Sequence, residues 1–389
     1  MKILYLTQFF SFTRGGGEAI FYFLAKELIK RGYKIFIIKH KMSSPEKFNL
    51  NGNLKIINVY PMVKHMGGLP PSTKDNLLYL LNATKAGLNT VKKYGIDIIH
   101  ANNFTPIISG SLIAKKLKIP LIVTIHDVFS IEGWSYWCFW AKQFGVSPLS
   151  AVIGPIFERL TLKAPASVIH TVSERSRKDL VKFGVKKPII VIPNGIDLSL
   201  YPKMEVGEVK PQVIYVGRLV FYKNLKVVID AFKEVLKTIP EAKLLIVGDG
   251  PMRKHWENYA IKLNLKNHVK FTGYITHEEK VKLISESCAL VFPSLFEGFG
   301  IVILEAFACY KPVIVSNIEP FTEIVTNGYT GFLVDPVNPK EWAEKITELM
   351  VNRLKALKMG LNGRKLVEEK FSIQKIGDEI EKLYRCILS

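Results

Sequence analysis

Apolar positions along the chain follow two alternating rhythms. Short, nearly uninterrupted apolar runs at 3–7, 35–38, 97–100, 121–125, 167–172 and 189–192 predict buried strands. Between the first two, Ile20, Leu24 and Leu28 recur at helical spacing until Gly32 can end the helix. After residue 211 the alternation restarts, with strands at 213–216, 243–247, 269–272 and 289–292 and helices at 225–236, 278–287 and 301–309. Thr276 with Glu279 three residues on forms a capping box, which sets the start of one of these helices. A last periodic stretch, 373–387, predicts a terminal helix.

Strands alternating with helices predict an α/β protein with parallel sheets covered on both faces. The periodicity breaks at Pro193-Asn194-Gly195-Ile196-Asp197, and Pro202, Gly207 and Pro211 follow closely. The expected division is an N-terminal Rossmann-like domain at 1–195, a hinge at 196–210, a second Rossmann-like domain at 211–370 and the terminal helix at 371–389. A chain of 389 residues exceeds what one core usually organises, in agreement with two doubly wound domains. Open parallel sheets bind ligands beyond the carboxyl ends of their strands, so two such domains facing across a cleft direct attention to residues that immediately follow strands.

Composition narrows the partners. Lys and Arg number 54 against 34 Asp and Glu, a net charge of +20 that favours anionic ligands but fits a solubilising surface equally well. Cys138, Cys288, Cys309 and Cys386 are far apart and form no C-x-x-C pair, so a reducing, cytoplasmic setting is expected rather than a disulfide framework. The first apolar run is too short for a signal peptide and reads as a first strand. The uncharged stretch 143–157 holds two prolines and is too short to span a membrane.

The densest chemical signal runs from Phe292 to Ala306. Pro293-Ser294 and Gly298-x-Gly300 follow a strand and open a helix near Ile301, whose free N–H groups suit a phosphate. Glu297 and Glu305 flank that turn, close enough to accept bonds from hydroxyls beside the phosphate. The plain alternative is a glycine turn with two solvated carboxylates. Gly217-Arg218 and Lys223-Asn224 follow the strand ending at Val216; the two cations suit a diphosphate, or they are ordinary surface charge. His126, ending a very apolar strand with Asp127 after it, can polarise a reacting group near neutral pH or be a structural histidine. Gly15-Gly16-Gly17 gives the first turn a backbone able to approach a ligand, without the spacing of a dinucleotide fingerprint. Asp249-Gly250 reads as a turn. Trp134, Tyr136, Trp137, Phe139 and Trp140, with Lys142 after them, are compatible with core packing, with a surface helix dipping into an anionic membrane, or with a groove for a lipid-linked acceptor. No Asp-x-Asp, His-Glu-x-x-His or Cys/His cluster is present, so no metal or other cofactor is expected.

With these motifs in this order, the chain resembles glycosyltransferase family 4, the retaining enzymes of GT-B fold. The resemblance rests on Gly15-Gly16-Gly17, His126-Asp127, the 193–197 segment, Arg218 and Lys223, Gly248-Asp-Gly-Pro251, Phe271-Thr-Gly-Tyr274 and the Glu297/Glu305 motif. It implies that Glu297 binds donor-sugar hydroxyls, Glu305 binds ribose, and Gly298, Phe299, Gly300 and Ile301 hold sugar and phosphate through backbone N–H groups. It also implies that Arg218 and Lys223 grip the diphosphate, Gly16 and Gly17 approach it from the first domain, and His126 lines the reacting face. Tyr274 and Ile275 would lie near the base, and the terminal helix would cross back to the first domain. The expected activity is transfer of a hexose-type sugar from a nucleotide sugar to a lipid-linked or saccharide acceptor, metal-independent and with front-face retention. The expected location is cytoplasmic, extending to a peripheral place on the inner membrane face. A sugar-nucleotide epimerase of the same architecture is the alternative, and nucleic-acid binding is suggested by charge alone, with no recognisable module.

Overall fold

The computed structural model describes residues 1–12, 16–43, 52–63, 72–146, 148–203 and 209–389. The chain divides into two compact units: unit 1 comprises Met1–Asn194 with Ile373–Ser389, and unit 2 comprises Gly195–Ser372.

Unit 1 is built on seven parallel strands. They are β1 (Lys2–Leu6), β2 (Lys34–Met42), β3 (Leu54–Val63), β4 (Ile98–Ala101), β5 (Leu121–Ile125), β6 (Val168–Thr171) and β7 (Ile189–Val191), in the order β3-β2-β1-β4-β5-β6-β7. Its connecting helices are α1 (Gly16–Lys30), α2 (Thr73–Tyr94), α3 (Thr105–Leu117), α4 (Trp134–Gln143), α5 (Pro148–Lys163) and α6 (Glu174–Lys182). Alternation along β1 sends Leu4 and Leu6 into the core on one face and Ile3 and Tyr5 into the core on the other. The second core is closed by the terminal helix, Ile373–Leu388, through Ile376, Ile380, Leu383 and Tyr384, one stripe at helical spacing. Each such apolar side chain stabilises by about 1.5–3 kcal/mol when removed from water. Arg31, at the end of α1, fixes this docking by donating to Asp378 at 2.7 Å and Glu381 at 3.1 Å.

The sequence expected a glycine turn before the first helix. Instead α1 already includes Gly16 and Gly17, while Gly15 lies outside the described residues.

Unit 2 has six parallel strands: β8 (Gln212–Val216), β9 (Lys243–Val247), β10 (Val269–Gly273), β11 (Ala289–Phe292), β12 (Val313–Ser316) and β13 (Gly331–Val334), in the order β10-β9-β8-β11-β12-β13. The helices are α7 (Leu225–Thr238), α8 (Arg253–Lys262), α9 (His277–Ser285), α10 (Ile301–Ala308), α11 (Phe321–Ile324), α12 (Pro339–Val351) and α13 (Arg353–Leu366). Thr276 caps α9 by accepting from Glu279 N at 3.1 Å. Both sheets have the doubly wound order, in which the winding direction reverses between β1 and β4 in unit 1 and between β8 and β11 in unit 2. At such a reversal the loops leaving the two central strands diverge to opposite faces and leave an opening at the carboxyl edge.

Candidate active site

The reversal in unit 2 brings together the two loops richest in chemistry. The β8–α7 loop carries Arg218 and Lys223, and the β11–α10 loop carries Ser294, Glu297, Gly298, Phe299 and Gly300. The first loop is held by its neighbour at the backbone. Gly217 N donates to Val247 O at 3.0 Å and Leu219 N to Asp249 O at 2.9 Å. Gly248 makes this approach possible: its φ is +125°, and a Cβ there would sit 2.0 Å from Gly217 O. Asp249-Gly250, read from the sequence as a plain turn, is therefore part of the scaffold under Arg218. The loop ends in a 3-10 turn, Phe221–Lys223, with Asn224 in the left-handed region at φ +50° and its Nδ2 donating to Pro336 O at 2.8 Å.

This turn buries Lys223 and points its ammonium at Glu297, with which it forms an ion pair. The same ammonium lies 4.8 Å from the centroid of the Phe292 ring. Ser294, fully buried, donates to Glu297 Oε1 at 3.1 Å. Tyr215, buried beneath, donates to Arg218 O at 3.0 Å; burial and the Glu297 charge push its phenol well above the usual range, so it stays neutral. Four residues after Ser294, Gly298 begins the turn into α10. Gly300 precedes the helix at φ +97°, where a Cβ would meet the Phe321 ring at 2.8 Å, and no side chain caps the helix start. The first N–H groups of α10 and its positive dipole end thus face the ground between the two loops. Phe299 is itself buried against Phe371, so what it offers a ligand is backbone.

Glu305 lies on the second turn of α10. Lys280 of α9 donates to its Oε1 at 2.6 Å and Tyr201 to the same oxygen at 3.1 Å. Neither partner was anticipated. Tyr201 lies in the stretch expected to be a hinge, yet it is buried in unit 2, and burial together with the Glu305 charge pushes its phenol well above the ordinary value. Glu297 and Glu305 share one arrangement: Oε1 takes the partners named above, and Oε2 accepts no bond among the described residues. Each carboxylate is held in place by one oxygen and presents the other. Tyr274 and Ile275 follow β10; Tyr274 is exposed, and it lies within the electrostatic reach of Asp249 and Arg218.

In unit 1 the candidates stand at the same edge of their own sheet. His126 follows β5, and its Nε2 is 3.0 Å from Asn102 Oδ1. Because that oxygen also accepts from Asn103 N at 2.9 Å, it is the carbonyl end of the amide, which assigns the proton to His126 Nε2. Burial, with the neighbouring His170 ring, lowers the His126 pKa to about 4, so the imidazole is neutral at neutral pH. Gly16 and Gly17 occupy the first two positions of α1. Among the described residues no group of three or more His, Cys, Asp or Glu side chains is arranged to hold a metal ion.

The geometry has counterparts among known proteins. Residues 14–200 match the family described as Glycosyltransferase Family 4, and residues 202–366 match Glycosyl transferases group 1. An uncharacterised glycosyltransferase of Methanocaldococcus jannaschii is 31% identical over 333 residues, which is 85% of this chain and 84% of that protein. Among solved structures, sucrose-phosphate synthase from Thermosynechococcus elongatus superposes with a TM-score of 0.79 at 23% identity, covering 99% of this chain and 98% of that one. HepE of Anabaena, in complex with UDP-glucose, superposes with a TM-score of 0.74 at 22% identity, covering 99% of this chain and 100% of the other. With sequence matches along both units and two parallel-sheet α/β domains, the chain belongs to glycosyltransferase family 4 and has the GT-B fold.

Proposed function

We propose that the protein is a retaining glycosyltransferase that moves a hexose-type sugar from a nucleoside-diphosphate donor to the hydroxyl of a saccharide or lipid-linked acceptor. The observation that carries this reading is the pairing at the unit 2 reversal: Lys223 with Glu297 beside the start of α10, and Lys280 with Glu305 four residues into it. A phosphate needs the cation and the helix start, and a sugar and a ribose need the carboxylates. Each carboxylate keeps Oε2 for a hydroxyl. The complex of the similar Anabaena protein with UDP-glucose supports a sugar nucleotide as donor.

In this mechanism Arg218, Lys223 and the N–H groups of Gly300 and Ile301 hold the donor diphosphate, while Gly298 and Phe299 present backbone to the sugar. Glu297 orients the sugar hydroxyls, Glu305 the ribose, and Tyr274 with Ile275 the base. The bond between the anomeric carbon and the phosphate oxygen breaks with its electron pair leaving on the diphosphate, where fixed positive charge stabilises it. The acceptor oxygen bonds to the same face of that carbon, and its proton passes to the departing diphosphate oxygen. His126, neutral and with Nε2–H directed to Asn102, belongs to this reading as a polar group on the reacting face, and Gly16 and Gly17 as close-approaching backbone. Both matched families are glycosyl transferases, so the epimerase alternative is not carried forward.

Thermal denaturation against a panel of nucleoside diphosphates and their sugars tests the reading. A ligand at a hundredfold its dissociation constant adds about 2.7 kcal/mol to the stability of the folded state. At least one nucleotide sugar should raise the melting temperature, and the rise should vanish in Lys223→Ala. No response to any nucleotide, or an undiminished response in that variant, overturns the assignment.

A further inference from the structure

The tryptophan-rich segment of unit 1 divides into two populations. Tyr136, Trp137 and Trp140 pack inward around the buried Phe129, with ring centroids at 5.1, 5.5 and 5.4 Å. Trp137 also presses on Gly154, where a Cβ would fall 2.3 Å from its ring, and this locks α4 onto α5. Trp134 and Phe139 turn the other way and are each 51% exposed. On α5 the exposed positions are apolar too: Val152, Ile156 and Leu160 recur every four residues, with Ile153 beside them. A soluble surface scatters single apolar residues; the four along one face of α5 form a patch that calls for an occupant.

The charges around the patch identify that occupant. From residue 133 to 163 the only carboxylate is Glu158, and it is buried, accepting from Phe129 N at 2.9 Å and Ser130 N at 2.8 Å. Glu132, on the turn before α4, is held by Arg175 at 3.0 Å. The charged side chains exposed in the segment are Lys142, Arg159 and Lys163. We propose that the outward face of α4 and α5 seats the protein on an anionic lipid surface, with Trp134, Phe139, Val152, Ile153, Ile156 and Leu160 entering the headgroup boundary and Lys142, Arg159 and Lys163 meeting lipid phosphates. Among the described residues no helix is long and apolar enough to cross a membrane, so the contact lies in the plane of the interface. The cations add attraction to an anionic leaflet, a contribution that salt screens. A face meant for another protein copy would have no reason to exclude carboxylates over its whole length.

Co-sedimentation of the full chain with vesicles, without nucleotide or acceptor, tests this independently of the transfer reaction. Vesicles of phosphatidylcholine alone are compared with vesicles of phosphatidylcholine and phosphatidylglycerol in equal parts. The protein should pellet with the mixed vesicles, less so in high salt, and remain largely in solution with phosphatidylcholine alone. The double substitution Ile156→Asp/Leu160→Asp, at exposed positions that the fold does not need, should lower partitioning at least about tenfold with an unchanged melting temperature. Lys142→Gln/Arg159→Gln/Lys163→Gln should remove the preference for the anionic lipid. The proposal is overturned if the native chain ignores the mixed vesicles, or if the aspartates leave partitioning unchanged. It is equally overturned if light scattering finds an oligomer that the aspartates split into monomers while vesicles stay unbound, because the face would then be a contact between copies.

Discussion

The carboxyl edges of the two sheets solve the problem of polar groups near a core in opposite ways. In unit 2 the polar groups are fully charged and paired: Lys223 with Glu297, Lys280 with Glu305. In unit 1 one buried set is uncharged and chained. His170 Nε2 donates to Ile192 O at 2.9 Å, which leaves its Nδ1 to accept from Thr124 at 2.9 Å. Thr124 in turn accepts from His100 Nε2 at 2.6 Å, His100 Nδ1 accepts from Tyr384 at 2.7 Å, and Tyr384 accepts from Tyr5 at 3.1 Å. One carbonyl thus fixes the proton on every member from β1 through β4, β5 and β6 to the terminal helix. Ion pairs keep polar groups available to a charged ligand, whereas a neutral chain spends them all on one another. The first is what a binding site needs and the second is what a scaffold needs.

The largest effect expected from breaking this contrast is on catalysis in unit 2. Lys223→Ala removes the cation proposed to hold the leaving diphosphate and leaves Glu297, partly buried, without its ion-pair partner. Transfer, followed as nucleotide release, should fall about a thousandfold in kcat/KM, roughly 4 kcal/mol. Glu297→Ala should cost a similar amount and the double variant clearly less than the sum, because the two side chains act as a pair. Additive losses would mean that the pair does not work as a unit.

Acid should come next, and it should strike unit 1. Burial lowers the pKa of His126 and of His170 from 6.5 to about 4 and holds that of His100 well below the usual value. The folded state therefore keeps neutral rings where the unfolded chain takes protons. Stability is at its full value above pH 6.5, falls as the pH drops toward 4, and levels off below that for His126 and His170. The loss should be up to about 3 kcal/mol for each of His126 and His170, read by urea titration across that window. A flat profile would show that the histidines titrate as readily in the fold as outside it. A single-atom cut in the same chain should be smaller: Tyr384→Phe leaves Tyr5 and His100 each short of a partner and should cost about 1–3 kcal/mol, with nucleotide binding unchanged. The smallest effect should be that of Glu305→Gln, which weakens the grip of Lys280 and the presented oxygen without emptying the site; nucleotide affinity should drop about tenfold, measured by calorimetry.

Much of this frame is legible in the sequence, and the misses have physical causes. The central strands 121–125, 243–247 and 289–292 are buried on both faces, write themselves as unbroken apolar runs, and are observed at those residues. β3 was not anticipated because it is an edge strand, half exposed, in which polar residues alternate with apolar ones and Pro61 interrupts the ladder. β12 and β13 are also absent from the sequence reading, although they are no shorter than β11. In the site, Arg218, Lys223 and Glu297 stand out because each follows a strand within a glycine-bearing turn, and Glu305 because it sits on the helix that this turn opens. Lys280 does not stand out, since in Glu278-Glu279-Lys280-Val281-Lys282 it reads as one more charge on a solvated helix. Only the placing of α9 against α10 turns it toward Glu305, 25 residues away. Tyr201, 104 residues from the same oxygen, carries no local signal at all. The tryptophan cluster likewise divides between interior and surface only when α5 is laid beside α4.

Unit 1 is closed by a helix that the ribosome makes only after the whole of unit 2, residues 195–372, has been made. Domains form as they emerge, so unit 2 is complete while Tyr5 and His100 still wait for Tyr384. A nascent chain stalled before residue 373 would thus carry a finished unit 2 on an unfinished unit 1, with the stripe that receives Ile376, Ile380 and Leu383 open to chaperones.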